Sequence, residues 1–164
     1  MIVIVMGVAG SGKSTIAHAL VALTGWQFAE GDDYHSEANR RKMHSGIPLT
    51  DADRIPWLNN LHDILIGWHR AGVSGILTCS ALKQSYRDIL AKDLPPGSCR
   101  FALLEAPVST LAARMNQRPG HFMNPALLQS QLDTLEMPAD ALRIDATQPP
   151  EAVARDILRE VNAA

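Results

Sequence analysis

A glycine-rich phosphate-binding loop constrains this chain more than any other feature. Residues 7–14 read Gly-Val-Ala-Gly-Ser-Gly-Lys-Ser, between the apolar run 1–6 and a segment of helical composition that begins at Thr15. Strand, glycine turn and helix form the context in which such a loop binds phosphate, because backbone N–H groups and the positive helix end face the ligand. A glycine-rich turn that binds nothing is the alternative, and eight fixed positions in this context argue against it.

The residue types in this loop predict separate roles. Lys13 is expected to reach the outer phosphates of a nucleotide, and the Ser14 hydroxyl is expected to bind magnesium. The other expected nucleotide contacts come from residues at the loop and the start of the helix: Gly7, Val8, Ala9, Gly10, Ser11, Gly12 and Thr15.

Length and composition favour one globular domain spanning residues 1–164. Apolar residues make up 46% and the net charge is −2, so no broad attraction to nucleic acid or to an anionic membrane is expected. The apolar residues 1–6 lack a basic flank and run directly into the loop, so they are interpreted as a strand rather than a signal peptide. The two cysteines, Cys79 and Cys99, show no metal-ligand spacing. We therefore predict a cytoplasmic protein with no nucleic-acid or membrane partner.

Apolar, β-branched runs alternate with amphipathic segments, which predicts a parallel sheet flanked by helices. Strands are expected at 2–6, 27–30, 75–79, 101–105 and 142–145, and helices at 13–23, 36–45, 54–71, 82–92, 107–117, 125–135 and 150–162. Two inserts interrupt this alternation, at 31–57 and 114–125. Both are placed to cover the carboxyl edge of the sheet, where ligands bind in such folds.

An acidic turn follows the second predicted strand. Glu30, Asp32 or Asp33 could support magnesium or accept the proton of an attacking hydroxyl. A turn or helix cap is the alternative, and the neighbouring phosphate-binding loop favours the functional role. The third predicted strand ends in Ser80, without the aspartate common in ATPases and GTPases, and the Asn-Lys-x-Asp sequence of GTPases is missing. This pattern favours a small-molecule kinase over a motor or a switch GTPase.

Basic residues follow the third strand and lie in the first insert. Lys83 and Arg87 are four positions apart, which predicts one helix face suited to an anionic substrate, or else a solvated helix surface. Arg54 is a further candidate for the substrate site. Asp51 stands where it could simply cap the helix that begins there.

The second insert is interpreted as a lid over the phosphates. Arg114 and Arg118 are four positions apart and precede a proline–glycine break. A lid of this kind would exclude water and bring positive charge to the transferring group. An exposed basic loop is the alternative.

Taken together, these motifs resemble the gluconate kinases, small P-loop kinases related to shikimate and adenylate kinases. The most specific matches are Gly-Asp-Asp-Tyr-His, Asp-Ala-Asp-Arg-x-Pro-Trp and Cys-Ser-Ala-Leu-Lys. The likeness covers nearly the whole chain, at residues 7–14, 31–35, 39, 42–43, 46–54, 56–57, 79–83, 86–87, 118–122, 131–136, 138, 144–145 and 149. Pro119 departs from the Lys or Arg that such enzymes commonly carry before Gly-His-Phe.

This resemblance implies ATP-dependent phosphorylation of the 6-hydroxyl of D-gluconate, which yields 6-phosphogluconate and ADP. It implies ATP and Mg²⁺ as cofactors and often a homodimer. The expected architecture is a three-layer α/β P-loop kinase fold with a lid and a five-stranded parallel sheet of order 2-3-1-4-5. The spacing of Glu30 and Asp32 resembles the acidic pair of shikimate kinases, which favours Asp32 over Asp33.

The resulting hypothesis assigns a role to each candidate residue. The catalytic residues are expected to be Lys13, Asp32 and Arg118. Arg114 joins the loop in binding nucleotide, and Ser14 with Asp32 binds the metal. The expected substrate contacts are Asp32, His35, Arg54, Lys83, Arg87 and His121. A shikimate-like or nucleoside monophosphate kinase, and an ATP-binding regulator without transferase activity, stay open as alternatives.

Overall fold

Strand β1 lies at the centre of a parallel sheet whose order is β2-β3-β1-β4-β5, which confirms the predicted fold class. The computed structural model of the chain describes residues 1–117 and 125–163. Its strands are β1 (Ile2–Met6), β2 (Gln27–Glu30), β3 (Gly75–Thr78), β4 (Cys99–Glu105) and β5 (Leu142–Asp145). Each strand differs by at most two residues at either end from the range expected from the sequence.

Helices cover both faces of this sheet. They are α1 (Lys13–Thr24), α2 (Glu37–His44), α3 (Asp51–Arg70), α4 (Gln84–Ala91), α5 (Val108–Asn116), α6 (Pro125–Thr134) and α7 (Pro150–Asn162), and a 3-10 turn, Gly31–Tyr34, follows β2. Among the described residues, no helix is long and apolar enough to cross a membrane.

The alternating side chains of β1 divide the core into two layers. Ile2, Ile4 and Met6 pack with buried residues of α3 and α4. Val3 and Val5 point to the opposite face and pack with buried residues of α1 and α7. All five side chains are at most 1% exposed. A strand buried on both faces has a continuous apolar sequence, which is why residues 1–6 indicated a strand.

Helix α3 begins three residues earlier than expected because of its cap. The Thr50 hydroxyl accepts from the backbone N–H of Asp53, and the Asp53 carboxylate accepts from the backbone N–H of Thr50. This reciprocal pair is a capping box, which stabilises the first turn of a helix. The cap is therefore Thr50, whereas Asp51 is the first helical residue and is free to act elsewhere.

A third, smaller apolar cluster lies beside the phosphate-binding loop. Val8 of the loop and Leu82 of the β3–α4 connection pack with Leu111 and Met115 of α5 and with Leu128 of α6. This cluster joins α5 and α6 to the carboxyl edge of the sheet, where the candidate site is found.

Candidate active site

The loop between β1 and α1 has the backbone geometry that phosphate binding requires. Helix α1 begins immediately after Gly12, whose φ of 89° lies in the left-handed region that glycine tolerates. Gly12 has no side chain to cap the first turn, so the backbone N–H groups there remain directed toward a ligand. A nucleotide phosphate fits this helix N-terminus in charge and in hydrogen-bonding capacity.

Lys13 folds back over the loop that precedes it. Its Nζ donates to the carbonyl oxygens of Gly7 at 3.0 Å and Val8 at 3.2 Å. These contacts hold the ammonium group above the loop, where an outer phosphate of a bound nucleotide would meet it.

Ser14 is joined to the acidic turn through Glu30. The Ser14 hydroxyl donates to one Glu30 oxygen at 2.8 Å, and the Thr78 hydroxyl donates to the other at 2.6 Å. Thr78 also accepts from the backbone N–H of Gly31 at 3.2 Å. The three residues therefore form one network that connects α1, β2 and β3 at the carboxyl edge of the sheet.

This network fits a magnesium ion held jointly with phosphate. Within residues 1–117 and 125–163, no group of three or more His, Cys, Asp or Glu side chains could hold a metal alone. Mg²⁺ at phosphoryl-transfer sites is bound through substrate phosphates, water and one or two protein oxygens rather than by an all-protein cage. The donor set of Ser14 with nearby carboxylates matches that description.

The 3-10 turn Gly31–Tyr34 is packed tightly against β3 and α3. A Cβ atom on Gly31 would lie 2.1 Å from the carbonyl oxygen of Thr78, so only glycine fits. The indole N–H of Trp57 donates to the Gly31 carbonyl at 2.8 Å, and its ring stacks on His35 at a centroid distance of 4.0 Å. The turn that carries Asp32 is thus held from both ends.

Three predicted site residues act electrostatically on the end of β3. Burial raises the pKa of the Cys79 thiol to about 12, and smaller effects come from the charges of Asp32, Lys13 and Arg54. A cation of the nucleotide loop, the exposed carboxylate of Asp32 and a cation of the first insert therefore all act on the same end of β3.

A cluster of polar side chains lies on the acceptor side of this point. Lys83 Nζ contacts Asp51 Oδ1 at 3.1 Å, and the Tyr86 hydroxyl donates a short hydrogen bond to the same oxygen. Arg54 donates to the Tyr86 hydroxyl at 3.3 Å and to the Leu49 carbonyl at 2.7 Å. Hydrogen bonds from Tyr86 and Lys83 lower the pKa of Asp51, and the bond to Asp51 raises the pKa of Lys83. Two candidate substrate cations are thus brought together.

Arg87 does not share a helix face with Lys83. Helix α4 begins at Gln84, so Lys83 is the extended residue before it, whereas Arg87 lies inside the helix and is only 2% exposed. The Arg87 guanidinium donates to the carbonyl oxygens of Ala81 and Leu82, at 2.7 and 3.1 Å. These hydrogen bonds order the β3–α4 connection, so Arg87 has a structural role there.

Arg114 lies on the opposite side of the phosphate-binding loop. It donates to the carbonyl oxygen of Ala146 at 2.6 Å and to that of Ser11 at 3.4 Å. A cavity of about 350 Å³ opens here, lined by Gly10, Gly12, Thr15, Ile16, Arg114, Gln117, Ala146, Gln148 and Pro150. Its position beside the loop suits the nucleoside part of a nucleotide. The two remaining predicted site residues, Arg118 and His121, lie outside the described residues.

Sequence reasoning missed Thr78 and Tyr86. Thr78 is the strand partner of Glu30 in the parallel register of β2 and β3, so pairing the two predicted strands could have placed it there. Tyr86 contacts Asp51 across 35 residues of sequence, and no local pattern indicated that contact.

The comparisons with known proteins agree with this geometry. The AAA domain family matches residues 2–138 of the chain. The gluconokinase of Gluconobacter oxydans (strain 621H) is 45% identical over 163 residues, which cover 98% of this chain and 90% of that protein. A probable gluconokinase of Rattus norvegicus is 48% identical over 155 residues, covering 84% of this chain and 83% of that protein.

The same relationship is found among solved structures. The crystal structure of a gluconokinase from Sinorhizobium meliloti 1021 superimposes with a TM-score of 0.87 at 43% identity, covering 98% of this chain and 91% of that chain. Sequence and fold therefore point to the same set of relatives.

Proposed function

The chain belongs to the gluconokinase family, and on that premise we propose that it transfers the γ-phosphoryl group of ATP to the 6-hydroxyl of D-gluconate. The products are 6-phospho-D-gluconate and ADP. The observation that carries this proposal is that the Ser14–Glu30 hydrogen bond joins the nucleotide loop to the acidic turn, while Arg54 and Lys83 both contact the Asp51–Tyr86 pair on the acceptor side.

The nucleotide is held by the loop and by the cavity beside it. Backbone N–H groups of residues 7–15 bind the phosphates, and Lys13 leaves its carbonyl partners to meet the outer phosphate oxygens. Arg114 forms one wall of the cavity for the nucleoside. Magnesium, when bound, neutralises charge that develops on the transferring group. Ser14 would hold it, supported by Glu30, and Asp32, two residues beyond Glu30 on the same turn, is the proposed further ligand.

Asp32 is the proposed base toward the acceptor hydroxyl. It is exposed on the turn after β2, and its charge reaches both Cys79 and His35. An ionised carboxylate at that position can orient the 6-hydroxyl and accept its proton as the bond to phosphorus forms. His35, at the base of the same turn, would shape the pocket beside it.

Arg54 and Lys83 are proposed to bind the carboxylate of gluconate. In the structure both cations contact the Asp51–Tyr86 pair. A substrate carboxylate presents the same chemistry as Asp51, so it can compete for the same donors. Arg87 contributes indirectly, because it orders the loop that presents Lys83.

Several finer assignments belong to the same proposal. Residues 1–164 would form one domain, with 31–57 as the acceptor-side insert and 114–125 as a lid that brings Arg118 and His121 over the reacting groups. A homodimer, a cytoplasmic location and the absence of a nucleic-acid partner also stay predictions. Sedimentation of the purified chain over a concentration series would test the dimer.

The decisive experiment is magnesium-dependent ADP release from ATP with a panel of acceptors. The panel contains gluconate, shikimate, other sugar acids and nucleoside monophosphates, with a no-acceptor control. Release with gluconate and a product phosphorylated at the 6-position support the proposal. ADP release with only shikimate or only a nucleotide would show that the protein is a kinase with an acceptor other than gluconate. Tight ATP binding without acceptor-dependent ADP release would favour an ATP-binding regulator.

A further inference from the structure

Residue Gln131 of α6 touches the phosphate-binding loop directly. Its side-chain oxygen accepts a hydrogen bond of 2.7 Å from the backbone N–H of Ala9. Ala9 stands in the middle of the glycine-rich loop, where a change in one peptide plane alters the direction of the neighbouring N–H groups. The nucleotide loop is therefore tied to α6 by a bond that spans 122 residues of sequence.

Five residues later, Glu136 binds the connection between β3 and α4. Its backbone N–H donates to the Leu82 carbonyl at 2.8 Å, and its carboxylate accepts from the backbone N–H of Gln84 at 2.8 Å. Its own carbonyl accepts from the buried guanidinium of Arg87 at 2.8 Å. Glu136 thus caps the start of α4 and closes the loop on which Lys83 lies.

The loop that Glu136 holds has a strained conformation. Ala81 has a φ of 48°, a left-handed value that strains the backbone of a residue with a Cβ. Arg87 and Glu136 stabilise this conformation through the bonds to Ala81, Leu82 and Gln84. Lys83 stands between these anchored positions, so its location depends on them.

Apolar packing makes the bridge between the two loops stiff. Leu128 of α6 is 4% exposed and packs with Val8 of the phosphate-binding loop and Leu82 of the β3–α4 connection. Leu132 and Leu135 pack partly buried against the same cluster. Because these side chains are closely packed, a displacement of the nucleotide loop also displaces α6.

We propose that residues 131–136 couple nucleotide binding to the acceptor loop, with Gln131 and Glu136 as positioning residues. ATP binding orders the loop around Ala9, Gln131 holds α6 to that loop, and Glu136 holds Gln84 and thereby Lys83 in the acceptor-binding position. This role rests on the proposed function for the identity of the acceptor. It predicts that ATP and gluconate each raise the affinity of the enzyme for the other by the same factor.

The test measures hydrogen exchange at one backbone amide instead of the rate of turnover. Hydrogen exchange of the Gln84 amide is measured by NMR in the full chain, with and without a non-hydrolysable ATP analogue. Wild type is expected to show exchange slowed about fivefold or more by the analogue. Q131M keeps the volume of the side chain and removes the acceptor, so the analogue should no longer slow exchange. Q129M is the matched control, because Gln129 lies on the same helix and contacts only the exposed Asp133 among its described hydrogen bonds.

Glu136 provides a second pair of variants. E136Q keeps an oxygen that accepts from Gln84 and should preserve the response, whereas E136M should lose it. Thermal unfolding of every variant separates coupling from general loss of stability, since a purely structural role lowers Tm and leaves the response to the analogue intact. An undiminished response in Q131M, or none in wild type, would overturn the coupling.

A binding measurement extends the test to the acceptor. Calorimetry gives the Kd of gluconate without and with the analogue. The ratio of these two Kd values is expected to be above one in wild type and about one in Q131M. Failure of wild type to phosphorylate gluconate would overturn the proposed function alone, because the exchange experiment requires only the nucleotide.

Discussion

Ser14 donates its hydroxyl hydrogen to the carboxylate of Glu30 at 2.8 Å, which joins the nucleotide loop to the acidic turn after β2. Many P-loop enzymes place a magnesium-supporting acid at the end of a later strand, where this chain has Ser80 after β3. Glu30 lies on the neighbouring strand, β2, and accepts from the Ser14 hydroxyl, so it can support magnesium in the same way. Thr78 fixes the second Glu30 oxygen and with it the orientation of the carboxylate.

The first prediction concerns this carboxylate. In the wild-type chain the Ser14 hydroxyl donates to the Glu30 carboxylate. E30Q removes the negative charge and places an amide N–H₂ where that carboxylate accepts. Partners that orient a metal ligand typically contribute 10–100-fold to metal affinity or activity. We expect the Mg²⁺ concentration at half-maximal rate to rise about tenfold or more, measured by titrating Mg²⁺ at saturating ATP and gluconate. E37Q, an exposed change on α2, is the control and should leave the Mg²⁺ titration unchanged.

The second prediction separates Asp32 from Asp33. D32N keeps the shape of the side chain and removes the group that accepts the proton, so kcat should fall on the order of 10² or more. D33N should retain most of the turnover. Steady-state kinetics with gluconate as the varied substrate measure both. Near-wild-type kcat in D32N together with a large loss in D33N would assign the base to Asp33.

The third prediction asks whether Arg87 binds substrate or supports the loop. R87M leaves the buried carbonyl of Ala81 without its donor, which costs about 1–3 kcal/mol, and removes one of the two donors to the Leu82 carbonyl. In a chain of this size, each kcal/mol lowers Tm by roughly 2–4 °C. Calorimetric unfolding should therefore show a clear loss in R87M. An unchanged Tm combined with a much higher KM for gluconate would instead make Arg87 a direct ligand.

The nucleotide side of the fold could be predicted from the sequence because its signals are local. The residues of β1, the glycine loop and the start of α1 are contiguous, and the strand is apolar on both faces. Lys13 and Ser14 accordingly lie where the motif placed them. The Glu30–Thr78 contact spans 48 residues of sequence. It can still be predicted once the strand order is known, because the parallel register pairs Glu30 of β2 with Thr78 of β3.

The acceptor side could be predicted only in part. Lys83 and Arg87 were expected on one helix face, but α4 begins one residue after Lys83 because Glu136, 52 residues away, caps Gln84. A shift of one position at a helix start redirects the side chain before it. A cap on α3 was one alternative for Asp51, whereas Thr50 takes that role and Asp51 binds Lys83 and Tyr86. Contacts between distant segments decided each of these positions.

The fourth prediction concerns the wall of the nucleotide cavity. R114M removes a cation that bridges the carbonyl oxygens of Ser11 and Ala146 beside the cavity. If the cavity holds the nucleoside, the KM for ATP should rise about tenfold, which corresponds to roughly 1.4 kcal/mol. The KM for gluconate should change little. A larger effect on gluconate than on ATP would contradict the assignment of this cavity.

The fifth prediction is a pH dependence of stability that comes from His35. Burial lowers the pKa of His35 below its usual value of 6.5, with Arg54 and Arg40 acting in the same direction and Asp32 opposing them. The unfolded chain therefore takes up a proton at a higher pH than the folded chain. The stability contributed by neutral His35 is fully present above pH 6.5 and is lost as pH falls toward the folded pKa.

Thermal unfolding between pH 5 and pH 8 measures this effect. We expect the Tm of wild type to fall on acidification below about pH 6.5, and the slope to be smaller in H35Q, which cannot take up the proton. H69Q is the matched control, because His69 is exposed near the end of α3 and should leave the slope unchanged. Equal slopes in wild type and H35Q would show that another group governs the acid response.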